Sequence, residues 1–334
     1  MRAFLVGGSG QIARAVAERL LRDGWEVVCA QRGDALPELV ELGATSVSLD
    51  RNLPGALQAA VAEGADAIID TVAFDDTHAE QLLEIQDVVG QLVVISSASV
   101  YCDDDGRTLD EAKSFADSPV MPNPITEKQR TTEPGPQTYS TKKVALENAL
   151  FVGARVPLTI VRPCAIYGTP TKHPREWWLV KRRLDGRQRV PLAAPDRTFH
   201  TSATPNIAEV IRAALHARFR GILNAGDPDP PSVRQIAQTI ASALDWGCEF
   251  VDVPSDAEDV GVTPWSGVTF VVAMEAARRI GYVPATSYPH YAPEVCRWLI
   301  EAAKDRDWRE IFPVLKYYGE MFDYAREDEW LSAR

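Results

Sequence analysis

The opening stretch, residues 1–33, constrains this chain more than any other. Ala3-Phe4-Leu5-Val6 is a short apolar run and reads as a buried strand. Gly7-Gly8-Ser9-Gly10 follows, and a helical pattern then runs from Gln11 to Asp23, with Ile12, Val16, Leu20 and Leu21 on one side and Gly24 as its stop. Glu26 to Ala30 is the next strand. Strand, glycine turn, helix and strand make the first βαβ unit of a dinucleotide-binding fold. The spacing Gly7-x-x-Gly10-x-x-Ala13 has a physical reason at each position. Gly7 permits a tight turn, Gly10 lets the backbone approach a pyrophosphate, and Ala13 is small enough for the helix to pack on the strand. The phosphates then rest on free N–H groups at the helix N-terminus, where Gln11 and Ile12 stand.

The end of the second strand bears on which dinucleotide is held. An acidic residue there bonds the ribose 2′-OH of NAD, whereas an Arg accommodates the 2′-phosphate of NADP. Here the strand ends Gln31-Arg32-Gly33, with a neutral side chain at the expected acidic position and a guanidinium after it. This favours NADP. Asp34, just past the glycine, keeps NAD as the alternative.

The alternation continues. Leu36–Leu42 reads as a short helix and Ser46–Leu49 as a strand ending at Asp50, placed to lie over an adenine. Pro54–Glu63 reads as a helix with Pro54 in its first turn. Ala67–Thr71 is a strand, Thr77–Val89 a helix, and Gln91–Ile95 a continuous apolar strand of the kind found at the centre of a parallel sheet. The pattern predicts an α/β fold with a doubly wound parallel sheet. The fifth strand runs into Ser96-Ser97-Ala98-Ser99-Val100-Tyr101, at the carboxyl edge where such sheets gather ligands.

Residues 102–138 break the rhythm with Asp, Pro and Thr, and read as a long loop at a site rim, with Glu127 more readily a solvated carboxylate than one that reaches the pocket. A helix then starts at Tyr139, with Thr138 its N-cap and Gly153 its stop. Tyr139 and Lys143, the chain's single Tyr-x-x-x-Lys, share one helix face. A cation one turn away favours the phenolate and lowers the tyrosine pKa from about 10. Such a pair is able to pass a proton to or from a substrate oxygen near neutrality. Leu158–Val161 is a strand followed by Arg162-Pro163, and Tyr167-Gly168-Thr169-Pro170 is a turn. Trp177–Leu184 reads as a helix in a basic stretch of Lys172, His173, Arg175, Lys181, Arg182, Arg183, Arg187 and Arg189. That cluster either holds an anionic substrate or is a solvated face with compensating salt bridges. Helices at Pro205–Arg218 and Ser232–Leu244, strands at Gly221–Gly226 and Glu249–Val253, and a mainly helical tail complete the chain.

Composition removes several classes. A net charge of −12 weighs against a phosphate-backbone binder, so no nucleic-acid partner is expected. No apolar run is long enough to span a bilayer, and Met1-Arg2 leads straight into the first strand with no signal peptide, so no membrane association is expected. Five dispersed Cys with no C-x-x-C pair suit a reduced, cytoplasmic setting and give no metal site.

Together, Gly7-x-x-Gly10-x-x-Ala13, Ser97 after the fifth strand and Tyr139-x-x-x-Lys143 resemble the extended short-chain dehydrogenase/reductase family, whose best-known branch is the NAD-dependent epimerase/dehydratase group acting on nucleotide sugars. The serine run, Arg162-Pro163, Tyr167-Gly168 and Asn224-Ala225-Gly226 match that branch. The resemblance implies a Rossmann domain at 1–165 plus about 195–226, with a smaller discontinuous substrate lobe at 166–194 and 227–334. It implies hydride transfer at a hydroxyl- or carbonyl-bearing carbon of a small polar substrate, sugar or nucleotide-linked among the candidates. Tyr139 would be the acid/base, Lys143 would tune it and bond the nicotinamide ribose, and Ser97 would orient the reacting oxygen. A reductase, dehydrogenase, epimerase or dehydratase all fit, and a sensor or scaffold without turnover is the alternative. It also implies a homodimer paired through about Thr77–Val89 and Tyr139–Val152. Three departures stand out: Ala13 in place of the third glycine, which is tolerated, Gln31-Arg32 at the second strand, and Cys164-Ala165-Ile166 where the sugar-nucleotide branch often has an Asn that holds the diphosphate.

Overall fold

The structure is a computed structural model that describes residues 1–110, 112, 118–254, 260–265 and 267–334, with the backbone only at Tyr317. Glu111 and 113–117 of the expected rim loop, and 255–259 and Ser266 of the expected lobe, lie outside the described residues. The first half alternates as the sequence predicts: β1 (Arg2–Val6), α1 (Gln11–Arg22), β2 (Glu26–Gln31), α2 (Pro37–Glu41), β3 (Thr45–Ser48), α3 (Ala56–Ala60), β4 (Ala67–Asp70), α4 (Asp76–Glu84), β5 (Leu92–Ile95), α5 (Tyr139–Gly153) and β6 (Leu158–Pro163). The second half contains β7 (Ala165–Tyr167), α6 (Trp177–Leu184), β8 (Arg189–Ala193), β9 (Thr201–Ala203), α7 (Thr204–Ala217), β10 (Gly221–Ala225), α8 (Val233–Ala243), β11 (Glu249–Val253), α9 (Glu275–Arg279), α10 (Tyr288–Ala303), α11 (Trp308–Ile311) and α12 (Tyr324–Ser332).

Seven strands form one parallel sheet in the order β10-β6-β5-β4-β1-β2-β3. Its inner strands are apolar because both faces are covered, whereas the edge strand β3 is polar and largely exposed. Leu5, Ile69 and Val93 face α1 and α7 through Ile12, Val16, Leu20, Ile207 and Ile211. Phe4, Ile68 and Val94 face α3, α4 and α5 through Leu57, Leu82, Leu146 and Leu150. A separate apolar cluster joins α6, α8, α10 and β8, with Trp177, Trp178, Ile236, Val295 and Leu299 at its centre. From there the chain returns to the sheet, where Phe270, Val272, Met274 and Ala277 pack on the α1 and α7 side. No described helix is long and apolar enough to cross a membrane.

Two elements differ from expectation. The helix expected at Pro54–Glu63 is only the five residues of α3, because Gly55 takes a left-handed conformation and resets the start beyond Pro54. The helix expected at Thr77–Val89 stops at Glu84 and continues as a 3-10 turn, Gln86–Val88. The α5 limits agree with the sequence: Thr138 Oγ1 accepts the Thr141 N–H, and Thr141 Oγ1 accepts the Thr138 N–H.

Two motifs meet in a buried ion pair. Arg162, near the end of β6, makes a two-pronged contact with Glu147, one turn beyond Lys143 on α5. Its guanidinium lies 4.8 Å from the Tyr101 ring centroid, and the Tyr101 hydroxyl donates to Asn224 Oδ1 at 2.6 Å. Asn224 pairs with Arg162 across β10 and β6. Glu127 is not a solvated carboxylate, because its Oε1 accepts the Asn224 N–H at 3.2 Å. Removing one partner of a buried pair strands the other charge and costs about 3–5 kcal/mol. Glu147→Ala is therefore expected to lower the urea midpoint substantially, and Glu147→Leu with Arg162→Met to recover most of the loss.

Candidate active site

The sheet reverses direction of growth between β1 and β4, and ligands of such sheets lie outside the carboxyl ends of those strands. Gly7 follows β1 with φ +86°, a conformation that favours glycine. A Cβ on it would stand 2.5 Å from Val72 Cγ1 and 2.8 Å from Thr71 Oγ1, in the loop after β4. Gly10 caps α1 with no side chain, and no acidic residue stands in the first turn, where Gln11 and Ile12 are both buried. The N-terminal N–H groups are thus open to an anion. Lys172 brings a cation there, with its Nζ 4.0 Å from where a Gly10 Cβ would be.

Gln31 is buried at the end of β2. Its Nε2 donates to the Asp34 carbonyl, while its Oε1 has no hydrogen-bond partner among the described residues and lies 2.8 Å from a Gly8 Cβ position. Arg32 and Asp34 are exposed beside it. Asp50 follows β3, its Oδ1 accepting the Asn52 N–H at 3.1 Å. A compressed glycine cradle, an open helix terminus and an orphaned buried amide oxygen fit a dinucleotide along this edge.

The α5 side chains complete the crevice. Lys143 is buried, and its Nζ donates to the Ala73 carbonyl at 2.5 Å and the Ile95 carbonyl at 2.9 Å. The Ala73 loop is itself fixed. Asp70 Oδ1 accepts the N–H groups of Val72 and Ala73, and Asp70 Oδ2 takes Arg51 Nη1 at 2.6 Å. Tyr139, one turn before Lys143, hydrogen-bonds Ser97 and packs 5.7 Å from the Phe74 ring. The structure therefore brings Ser97, Tyr139 and Lys143 to one place.

The electrostatics run against expectation. Burial pushes the Tyr139 hydroxyl up to about 12, opposed by the Ser97 hydrogen bond and helped by the Asp110 carboxylate. The residue as a whole is 42% exposed, so solvent tempers that rise. Lys143 makes no compensating contribution, because its ammonium is turned to two carbonyls and lies 5.6 Å from the tyrosine ring centroid. Burial also brings Lys143 down to about 8, against the pull of Asp70 and Glu147.

Residues 3–180 match the NAD dependent epimerase/dehydratase family. The chain belongs to that family. Among solved structures, UDP-glucose 4-epimerase superposes with a TM-score of 0.69 at 16% identity, covering 92% of this chain and 99% of that one. The dTDP-glucose 4,6-dehydratase of Bacillus anthracis, a complex with NAD, gives 0.65 at 16% identity, covering 95% and 100%. The UDP-glucose-4-epimerase of Stenotrophomonas maltophila, with bound NAD and formylated UDP-arabinopyranose, gives 0.66 at 18% identity, covering 89% and 97%. These likenesses show the shared extended fold. No curated protein matches the chain.

Sequence reasoning missed several contributors. Asp110 accepts the Ser140 N–H at 3.0 Å and so caps α5, although it lies in an irregular loop with no motif around it. Asp70 passed as a strand residue. Half of the basic stretch resolves into ion pairs: Lys181 with Asp185, Arg182 with Glu327, Arg187 with Asp328 and Arg189 with Glu249. Gly10→Val is expected to weaken dinucleotide binding at least about tenfold, read by nicotinamide fluorescence titration, with little change in the unfolding midpoint.

Proposed function

We propose that the protein is an NADP(H)-using oxidoreductase or epimerase acting at a hydroxyl- or carbonyl-bearing carbon of a small polar substrate. The observation that carries this reading is the Tyr139 hydroxyl hydrogen-bonded to Ser97 at the open mouth of the crevice, one helical turn from buried Lys143. A pure binding protein has no need of that grouping. The nicotinamide, when bound, supplies or takes the hydride. Tyr139 holds and moves the proton at the substrate oxygen, and Ser97 orients that oxygen by a hydrogen bond. Lys143 fixes the floor of the crevice through the Ala73 and Ile95 carbonyls and would bond the nicotinamide ribose. Gly7, Gly10, Gln11 and Ile12 receive the diphosphate, with Lys172 as its counter-charge, and Asp50 lies over the adenine.

The preference for NADP rests on Gln31 and Arg32. A carboxylate at Gln31 would repel a 2′-phosphate, while the exposed Arg32 fork suits its oxygens. Charge-assisted hydrogen bonds contribute roughly 1.5–3 kcal/mol, so NADPH should bind about tenfold or more tightly than NADH. Arg32→Ala should erase most of that difference and spare NADH. The ion pairs of the basic stretch, and Cys164 in place of an Asn, favour a substrate without a nucleoside diphosphate. The proposal includes a homodimer through about Thr77–Val89 and Tyr139–Val152, where Val88, Phe151 and Val152 are exposed. Light scattering at micromolar concentration checks it, and a monomer mass would oppose it.

Tyr139→Phe should cut turnover about 10²–10⁴-fold while leaving cofactor titration unchanged, measured as reduced-nicotinamide absorbance against a panel of carbonyl compounds. Activity near the parent's would remove Tyr139 from the mechanism. Lys143 is charged below a pKa of about 8 and neutral above it. Dinucleotide affinity should therefore fall as pH rises through about 8 in the parent, and be weaker and flat with pH in Lys143→Met.

A further inference from the structure

The hydroxyl of Tyr139 is the first of a continuous row. It hydrogen-bonds Ser97. Ser97 Oγ lies 2.9 Å from Ser99 Oγ, and Ser99 Oγ lies 3.0 Å from Ser140 Oγ. Ser140 Oγ in turn donates to Asp110 Oδ2 at 2.6 Å. From Ser97 to Asp110, each of these oxygens is within direct hydrogen-bonding range of the next. The row begins in the crevice, passes through Ser140, which is fully buried, and ends at a carboxylate exposed to solvent. Each hydroxyl is both donor and acceptor, so all four are able to point the same way, with Asp110 as the final acceptor.

We propose that Ser97, Ser99, Ser140 and Asp110 form a proton relay that connects the Tyr139 hydroxyl with bulk water. It rests on the reading of Tyr139 as the acid/base. Tyr139 is open to solvent on one side, and that is the side a substrate and nicotinamide would cover. The relay ends at Asp110, which is exposed at the first turn of α5 and has its own contact with water. In reduction of a carbonyl, the carbon takes a hydride from the reduced nicotinamide dinucleotide and the oxygen takes the Tyr139 proton. Tyr139 regains a proton from Ser97, Ser97 from Ser99, Ser99 from Ser140, and Ser140 from Asp110, which is recharged by water. One O–H bond breaks and one forms at every hydroxyl, and the net change is one proton moved from water to the substrate oxygen. Oxidation of an alcohol runs the same row in reverse order.

Such a route serves a reaction that exchanges a proton with solvent in every turnover. Epimerisation returns the proton to where it came from and has no such need. Within the proposed function, the relay therefore favours net reduction or oxidation of the substrate.

The test needs no substrate. Binding of NADP⁺ brings a cation to the crevice and lowers the Tyr139 pKa, so proton release follows by stopped flow with a pH indicator near pH 9. The parent should release a proton, and Tyr139→Phe should not. Ser99→Ala, Ser140→Ala and Asp110→Asn should release it at least about tenfold more slowly. Asp110→Asn keeps an acceptor for the Ser140 N–H and so spares the cap, and Asp110→Glu should recover part of the rate. Added imidazole should speed release in Asp110→Asn, which a purely structural role for Asp110 does not predict. Tyr139-dependent release at the parent's rate in all three relay variants would overturn the relay and leave the Tyr139 reading standing. Release that persists in Tyr139→Phe, or no release by the parent, would overturn both.

Discussion

A single buried ammonium ties the crevice together. Lys143 projects from α5 to the carboxyl ends of two parallel strands, where its Nζ holds the carbonyls of Ala73 and Ile95. A charge with so little water around it is costly unless its hydrogen bonds are satisfied. The two carbonyls meet that demand only if α5 lies at one depth and one rotation over β4 and β5. That placement sets Tyr139, one turn earlier, above Ser97 at the end of β5. Neighbouring ion pairs hold the frame: Arg51 on Asp70 fixes the Ala73 loop, and Arg162 on Glu147 fixes the next turn of α5.

The same contact explains why the tyrosine is not an activated base in this state. Proximity along the helix does not by itself lower a pKa; the cation has to face the oxygen that ionises. Here the cation faces the strand ends, and burial raises the tyrosine instead. In the proposed mechanism activation is left to the dinucleotide, whose ribose would compete for the Lys143 N–H groups and whose oxidised ring would add a positive charge, so that proton chemistry would be conditional on the cofactor.

Much of the fold was legible because its signals are local. The βαβ opening, the apolar central strand and the capped α5 are each written in adjacent residues, and the observed limits follow them closely. The α3 start was misplaced because Gly55 overrode Pro54, and the Thr77–Val89 reading ran past a change of helix type at Ile85. That Tyr139 and Lys143 share a helix face was readable from their spacing, and Ser97 entered through the resemblance of its serine run. Asp110, Ser99 and Ser140 were not readable, because they meet through the packing of a turn, a loop and a helix separated by tens of residues. The basic stretch left two readings open for the same reason. Its compensating acids, Glu327 and Asp328, lie far along the chain in α12.

The account turns on Tyr139 being a high-pKa tyrosine that the dinucleotide activates. The direct measurement is an NMR titration of protein labelled with ¹³C at the tyrosine ring, with the Tyr139→Phe variant assigning the resonance. Without cofactor, Tyr139 should remain un-ionised beyond the ordinary tyrosine value of about 10, and saturation with NADP⁺ should move its midpoint down toward neutrality. A midpoint already below the ordinary value in the free protein, or one that does not move when the dinucleotide binds, would contradict it.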